Sequence, residues 1–146
     1  IGETRSRGSC RADSWSSIPI LRMPNVSLMP GQERLSLEDL IADTDRGILI
    51  DGRGSFSIDQ RRLNFQFGGD AFWEIRNGRR AGMLRDVTYF GITPEFWNAC
   101  DAVCDERVWE SHGAQNCGKG DPIQLTDTSQ GASPARFRGV EVRRAG

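Results

Sequence analysis

The sequence predicts a mainly β domain of the α+β kind: an antiparallel sheet, a distorted barrel or a sandwich, carrying two short helices. Three observations lead there. Residues 71–89 read as a hairpin that turns at Asn77-Gly78, the pair preferred in two-residue type I′ turns. Residues 56–67 alternate apolar and polar side chains, as half-buried strands do, with Phe56 and Ile58, then Leu63, Phe65 and Phe67, as the apolar members. Clear helix-start signals stand at Ser36 and at Thr93-Pro94.

Taken in order, residues 1–17 are rich in Ser, Arg and Gly and read as an extended or mobile lead-in, with the domain proper spanning 18–146. Ile18 to Leu28 is apolar but interrupted by Pro19 and Pro24, which suits an edge strand or strap. Ser36 caps a helix over 36–43, with Glu38 and Asp39 at its positive end and Leu37, Leu40 and Ile41 on one face. The Asp43-Thr44-Asp45 cluster that follows lacks the later Glu of a calcium loop and reads as a helix end. Ile48–Ile50 then form a strand that turns at Asp51-Gly52-Arg53-Gly54. Gly82 marks a bulge in the return strand of the hairpin.

Thr93 as N-cap and Pro94 as first helical residue predict a second helix over 94–104. Phe96, Cys100, Val103 and Cys104 fall on one stripe of it, so both thiols read as small apolar core residues. Gly131-Ala132-Ser133-Pro134 is a turn, and residues 135–143 read as a closing strand.

The 146 residues suffice for one domain. Nineteen basic and 20 acidic residues are scattered and nearly cancel, which argues against a direct nucleic-acid surface. No apolar run approaches the ~18 residues of a membrane span, and no signal peptide is visible. Four cysteines, at 10, 100, 104 and 117, are too few and too unevenly spaced for a disulfide scaffold, and they fit a reducing, cytoplasmic setting. The first residue is Ile1 rather than Met, which suggests a piece of a longer polypeptide. His112 is the only histidine, so a metal site built from this chain alone has one imidazole at most. No Gly-x-Ser-x-Gly elbow accompanies it, which disfavours a Ser-His-Asp hydrolase.

The segment Asn116-Cys117-Gly118-Lys119-Gly120-Asp121-Pro122 holds the one thiol set between glycines. Two readings stand side by side. Cys117 is a small apolar residue in a glycine turn, or it is a thiolate ligand whose ionised form the nearby Lys119 favours.

Several segments together resemble the C-terminal half of the TldD/PmbA family, proteins described as modulators of DNA gyrase and as zinc metallopeptidases. They include Arg22-Met23-Pro24-Asn25-Val26-Ser27-Leu28, Asp43-Thr44-Asp45-Arg46-Gly47, Thr93-Pro94-Glu95-Phe96-Trp97, Asn116-Cys117-Gly118-Lys119-Gly120 and Ala135-Arg136-Phe137. The resemblance runs from about Cys10 to the C-terminus and looks like the TldD branch, because PmbA-type partners generally lack the metal ligands. It implies a zinc-dependent peptidase acting on extended peptides, paired with a PmbA-type subunit as a heterodimer, or a homodimer, with at most an indirect link to gyrase. It implies that Cys117 completes a zinc site whose other ligands lie on an H-E-x-x-x-H helix. No such motif occurs here. The chain by itself is therefore expected to be inactive and not to retain zinc. The competing reading is a non-catalytic module that docks a partner subunit.

Overall fold

The structure is a computed structural model and describes residues 2–144. The chain begins with three short strands, β1 (Cys10–Arg11), β2 (Ile20–Leu21) and β3 (Val26–Ser27). Helix α1 (Leu37–Ala42) precedes β4 (Arg46–Asp51), β5 (Phe56–Ile58), β6 (Asn64–Phe67), β7 (Ala71–Arg76), β8 (Arg79–Leu84) and β9 (Val87–Ile92). Helix α2 (Thr93–Asn98) is followed by β10 (Cys100–Val103), β11 (Glu110–Lys119), β12 (Gln124–Ala132), β13 (Ala135–Phe137) and β14 (Glu141–Arg144). These elements form two compact units. One joins the chain up to Pro30 with Trp109–Ser133; the other joins Gly31–Val108 with the chain from Pro134 onward.

The first unit is a long antiparallel hairpin of β11 and β12, with β3 added in parallel along β12. Asn25 and Ser27 fasten β3 through their side chains, accepting from the Ser129 N–H at 2.9 Å and the Gly131 N–H at 3.2 Å. The Trp109 indole donates to the Leu28 carbonyl at 3.2 Å. Its ring lies where a Cβ on residue 131 would stand, so glycine is required there. β1 and β2 form a separate antiparallel pair, so the expected lead-in contributes Cys10 and Arg11 to a strand.

The second unit holds the core. A sheet of order β4-β7-β8 and a sheet of order β14-β9-β6-β5 are both antiparallel, and β10 pairs with β13. None of these sheets closes into a barrel. The Asn77-Gly78 turn has φ of 51° and 71°, the positive angles that type I′ demands. Its bulge sits at Ala81, beside Gly82, because Glu74 pairs with Gly82 and Ile75 with Arg80. Leu40 and Ile41 on α1, Phe72 and Ile75 on β7, and Val87 on β9 are buried. The Ser36 hydroxyl accepts the Asp39 N–H while Asp39 accepts the Ser36 N–H, at 3.1 and 3.0 Å, closing a reciprocal cap on α1.

Several expectations are corrected here. Helix α2 stops at Asn98 rather than 104, and Thr93 lies inside it, with Ile92 as the capping residue. The Thr93 hydroxyl donates instead to the Arg62 carbonyl at 2.7 Å. Cys100 opens strand β10 and pairs with Phe137, so the two thiols do not share a helix stripe. Pairing with β13, reinforced by the Phe96 and Phe137 rings stacked 4.0 Å apart, overrides the weak helical preference of residues 100–104. The turn at 51–54 does not join neighbours; it carries the chain from the β4 sheet to the β5 sheet. Gly131 and Ala132 belong to β12 rather than to a turn. The closing segment divides into β13 and β14, which pair in different sheets.

Candidate functional site

Cys117 is not in a glycine turn. It lies within β11, opposite Thr126, and the turn begins only at Gly120. The ladder skips between Ala114 and Cys117: residues 115 and 116 face Asp127 alone, so β11 carries one extra residue just before the thiol. Asn116 takes the left-handed φ of 56° that this geometry needs, a conformation Asn tolerates better than most residues. Its N–H, displaced from the ladder, donates to the Asp127 carboxylate at 3.1 Å. A bulge of this kind re-aims the side chains that follow it, here Cys117.

Behind that rung sits Arg22, only 3 % exposed. Its guanidinium donates to the Gln124 carbonyl at 2.9 Å, to the Thr126 hydroxyl at 3.2 Å and to the Cys117 carbonyl. Sequence reasoning included Arg22 only as part of a resembling segment. An arginine just ahead of Pro24 in an otherwise apolar strap was the available signal. The Lys119 ammonium donates to the Leu21 carbonyl at 2.7 Å, which ties the same strap to the end of the hairpin.

His112 lies on β11 as well, but its ring is exposed and stands 3.4 Å from the Glu110 carboxylate. No group of three or more His, Cys, Asp and Glu side chains converges among the described residues. One thiol without a converging donor set does not fit a metal ion, so the residues present do not form a complete metal site. The other cysteines are placed differently. Cys10 is exposed, Cys100 is half-buried and Cys104 is fully buried, and burial pushes the Cys100 and Cys104 thiols above their ordinary pKa.

In the second unit Arg136 joins three segments through one guanidinium. It grips the Asp101 carboxylate with two nitrogens, at 2.9 and 3.0 Å, and reaches Asp43 at 2.9 Å and the Thr44 hydroxyl at 3.1 Å. The guanidinium holds the Asp101 carboxyl below the usual aspartate range. This junction joins the end of α1 to β10 and β13, and it accounts for the acidic residue at 43 structurally. A cavity of about 550 Å³ in this unit is lined by apolar side chains of α1, β4 and β13, among them Leu40, Ile48 and Phe137.

The family model of the PmbA/TldA metallopeptidase C-terminal domain matches residues 2–144. The chain belongs to this family. Among curated relatives, the metalloprotease TldD homolog of Buchnera aphidicola is 28% identical over 116 residues, covering 80% of this chain and 23% of its own length. A metalloprotease of Methanothermobacter thermautotrophicus is 31% identical over 125 residues, covering 85% of this chain and 26% of its own. The PmbA/TldA-type domain therefore spans about a quarter of the length of these relatives. The crystal structure of TldE from Thermococcus kodakarensis matches 98% of this chain and 28% of its own, with a TM-score of 0.65 at 22% identity, a likeness of fold. No helix among the described residues is long and apolar enough to cross a membrane.

Proposed function

We propose that this chain serves as the C-terminal domain of a TldD-like zinc metallopeptidase that cuts extended peptides, with Cys117 as one zinc ligand. The remaining ligands come from elsewhere in the protein. The observation that supports the reading most is the coincidence of two facts at one residue. The family resemblance assigns the ligand to position 117, and that position directly follows a bulge locked by Asp127 and a rung held by a buried arginine. A ligand has to be held in place, and this is the best-braced cysteine of the hairpin unit. The metalloprotease TldD names of relatives support the TldD branch and a peptide substrate; the PmbA-type partner subunit rests on the family resemblance alone. Four unpaired thiols support a reducing, cytoplasmic setting. The relatives' names lend the gyrase link no support, and it forms no part of the proposal.

The test replaces Cys117 by Ala in the complete protein. The variant is expected to lose most of its zinc and its peptide cleavage, while its stability falls by about 1 kcal/mol or less, as for a small side chain outside the core. If zinc and cleavage both survive, the ligand assignment is wrong.

A second reading has its own observation. Trp15, Ile18 and Ile123 are 98%, 78% and 66% exposed in the hairpin unit, as side chains awaiting a partner surface would be. In that reading the domain docks another subunit and Cys117 is incidental. Replacing Trp15 and Ile123 by Ser then disrupts assembly, while Cys117→Ala leaves both assembly and activity intact.

A further inference from the structure

We propose that the free edge of β4 takes up one more strand: an extended, apolar segment of the complete protein from outside residues 1–146, with an acidic residue where it meets Arg46. The inference rests on the reading of this chain as one domain of a longer protein, and on nothing at Cys117.

The placement comes from the cavity of about 550 Å³ in the second unit. Side chains along a strand point alternately to its two faces, so a groove on one face touches every second residue. Here Arg46, Gly47, Ile48, Leu49 and Ile50 all line the space, in unbroken succession. The cavity therefore follows the edge of β4, not a face. That edge is free, because β4 is the outer strand of its sheet and pairs with β7 alone. Among the described residues, no other main-chain hydrogen bond reaches 46–50. Residues 135–140 line the space in succession as well, and they include β13, which pairs with β10 alone. Two strands, each with an unpaired edge, thus border one slot.

The walls and the mouth determine what fits. Leu37, Leu40 and Ile41 of α1, Phe96 of α2 and Val142 of β14 wall the slot with apolar side chains. A strand buried on both faces reads as a continuous apolar run, which is the sequence expected of the occupant. Arg46 is the first residue of β4, exposed and with no ion pair among the described residues, so it favours a carboxylate at that end. An apolar strand edge left bare is a template for aggregation, and folded proteins keep such edges covered. A strand of the same polypeptide stays at high effective concentration and covers the edge permanently, whereas a free peptide bares it at every dissociation. The relatives have the length for such a segment, since this chain matches about a quarter of each.

The experiment uses the complete protein with photoreactive leucine, a diazirine of nearly the same shape, in place of leucine. Irradiation followed by mass spectrometry maps what lies against Leu37, Leu40 and Leu49, which all line the slot. Hydrogen exchange follows the amides of 46–50 in the unlabelled protein. Crosslinks should run from these leucines to one apolar segment outside residues 1–146 of the same polypeptide. The amides of 46–50 should exchange slowly, including those that do not bond to β7. Arg46→Glu should speed their exchange about fivefold, the upper range for an exposed ion pair. Arg79→Glu, at an exposed arginine on β8, should leave it unchanged. Crosslinks confined to this chain, or leading to a separate polypeptide, overturn the proposal. Fast exchange at 46–50 overturns it too, because a segment would then cover the slot without pairing. Unchanged exchange in Arg46→Glu overturns the acidic residue. None of these readouts involves zinc, so they stand or fall apart from the assignment at Cys117.

Discussion

Asp127 accepts the main-chain N–H of Asn116 at 3.1 Å, across the point where β11 carries its extra residue. The bond satisfies an amide that the bulge removes from the ladder. Asp127→Ala should cost about 1 kcal/mol, the typical net worth of one such bond, and Asp127→Asn should recover most of it. Because φ at residue 116 is already left-handed, Asn116→Gly should be neutral to slightly stabilising, and Asn116→Val should cost about 1–2 kcal/mol. Urea titration of the four variants checks the order.

A second carboxylate governs behaviour in acid. Asp105 is buried and accepts from the Leu35 N–H at 2.9 Å and from the Arg107 side chain and N–H. The Arg107 guanidinium holds its carboxyl well below the usual aspartate range. A depressed carboxyl contributes stability above its unfolded pKa of about 3.9 and loses it as pH falls through the lower folded value. Asp105→Asn should therefore be less stable at neutral pH and show a shallower loss of stability below about pH 4. Asp101 and Asp39, also depressed, keep that loss from vanishing. Thermal midpoints between pH 2 and pH 7 give the two curves; parallel curves would refute the assignment.

Gly31 donates its N–H to the Cys104 carbonyl at 2.9 Å, and a Cβ there would overlap the Val103 carbonyl oxygen. Backbone cannot rotate away as a side chain can. Gly31→Ala should cost about 2–3 kcal/mol, at the upper end of overpacking. Gly113→Ala, on an open face of β11 with no neighbour in reach, should stay within about 0.5 kcal/mol of the parent.

Cys104 offers the counterpart to Cys117. It is 0% exposed, between a bond from its N–H to the Pro134 carbonyl and the bond to Gly31. Cys104→Ala should lower stability by about 1–2 kcal/mol and leave the zinc content of the complete protein unchanged. Zinc analysis alongside the thermal midpoint separates this from the Cys117→Ala pattern.

What could be read from the sequence was local. The Ser36 cap and the Asn77-Gly78 turn draw their geometry from residues within a few positions, so type and place were both legible. The end of α2 was not, because Phe137, far along the chain, recruits residue 100 into a strand. Cys117 was recognised as the residue of interest, but its glycines pointed to a turn. The strand around it exists through pairing with residues 124–126 and a bulge that no local signal announces. Arg22 was invisible as a brace for the same reason: its acceptors lie on a hairpin about a hundred residues away.

That separation has a consequence for the chain as it is made. Arg22 leaves the ribosome 95 residues ahead of the Cys117 carbonyl. At translation speeds of 5–20 residues per second, it waits roughly 5–20 s with its guanidinium in water. Meanwhile β4 to β10 emerge and can pair among themselves, since their partners other than β13 and β14 are already out. The hairpin unit thus acquires its interior only after most strands of the second unit are out, and its first strap remains open to attack until then. Brief trypsin treatment of ribosome-bound chains halted before residue 117 should cut after Arg22, and the same treatment of the released, folded protein should spare that bond.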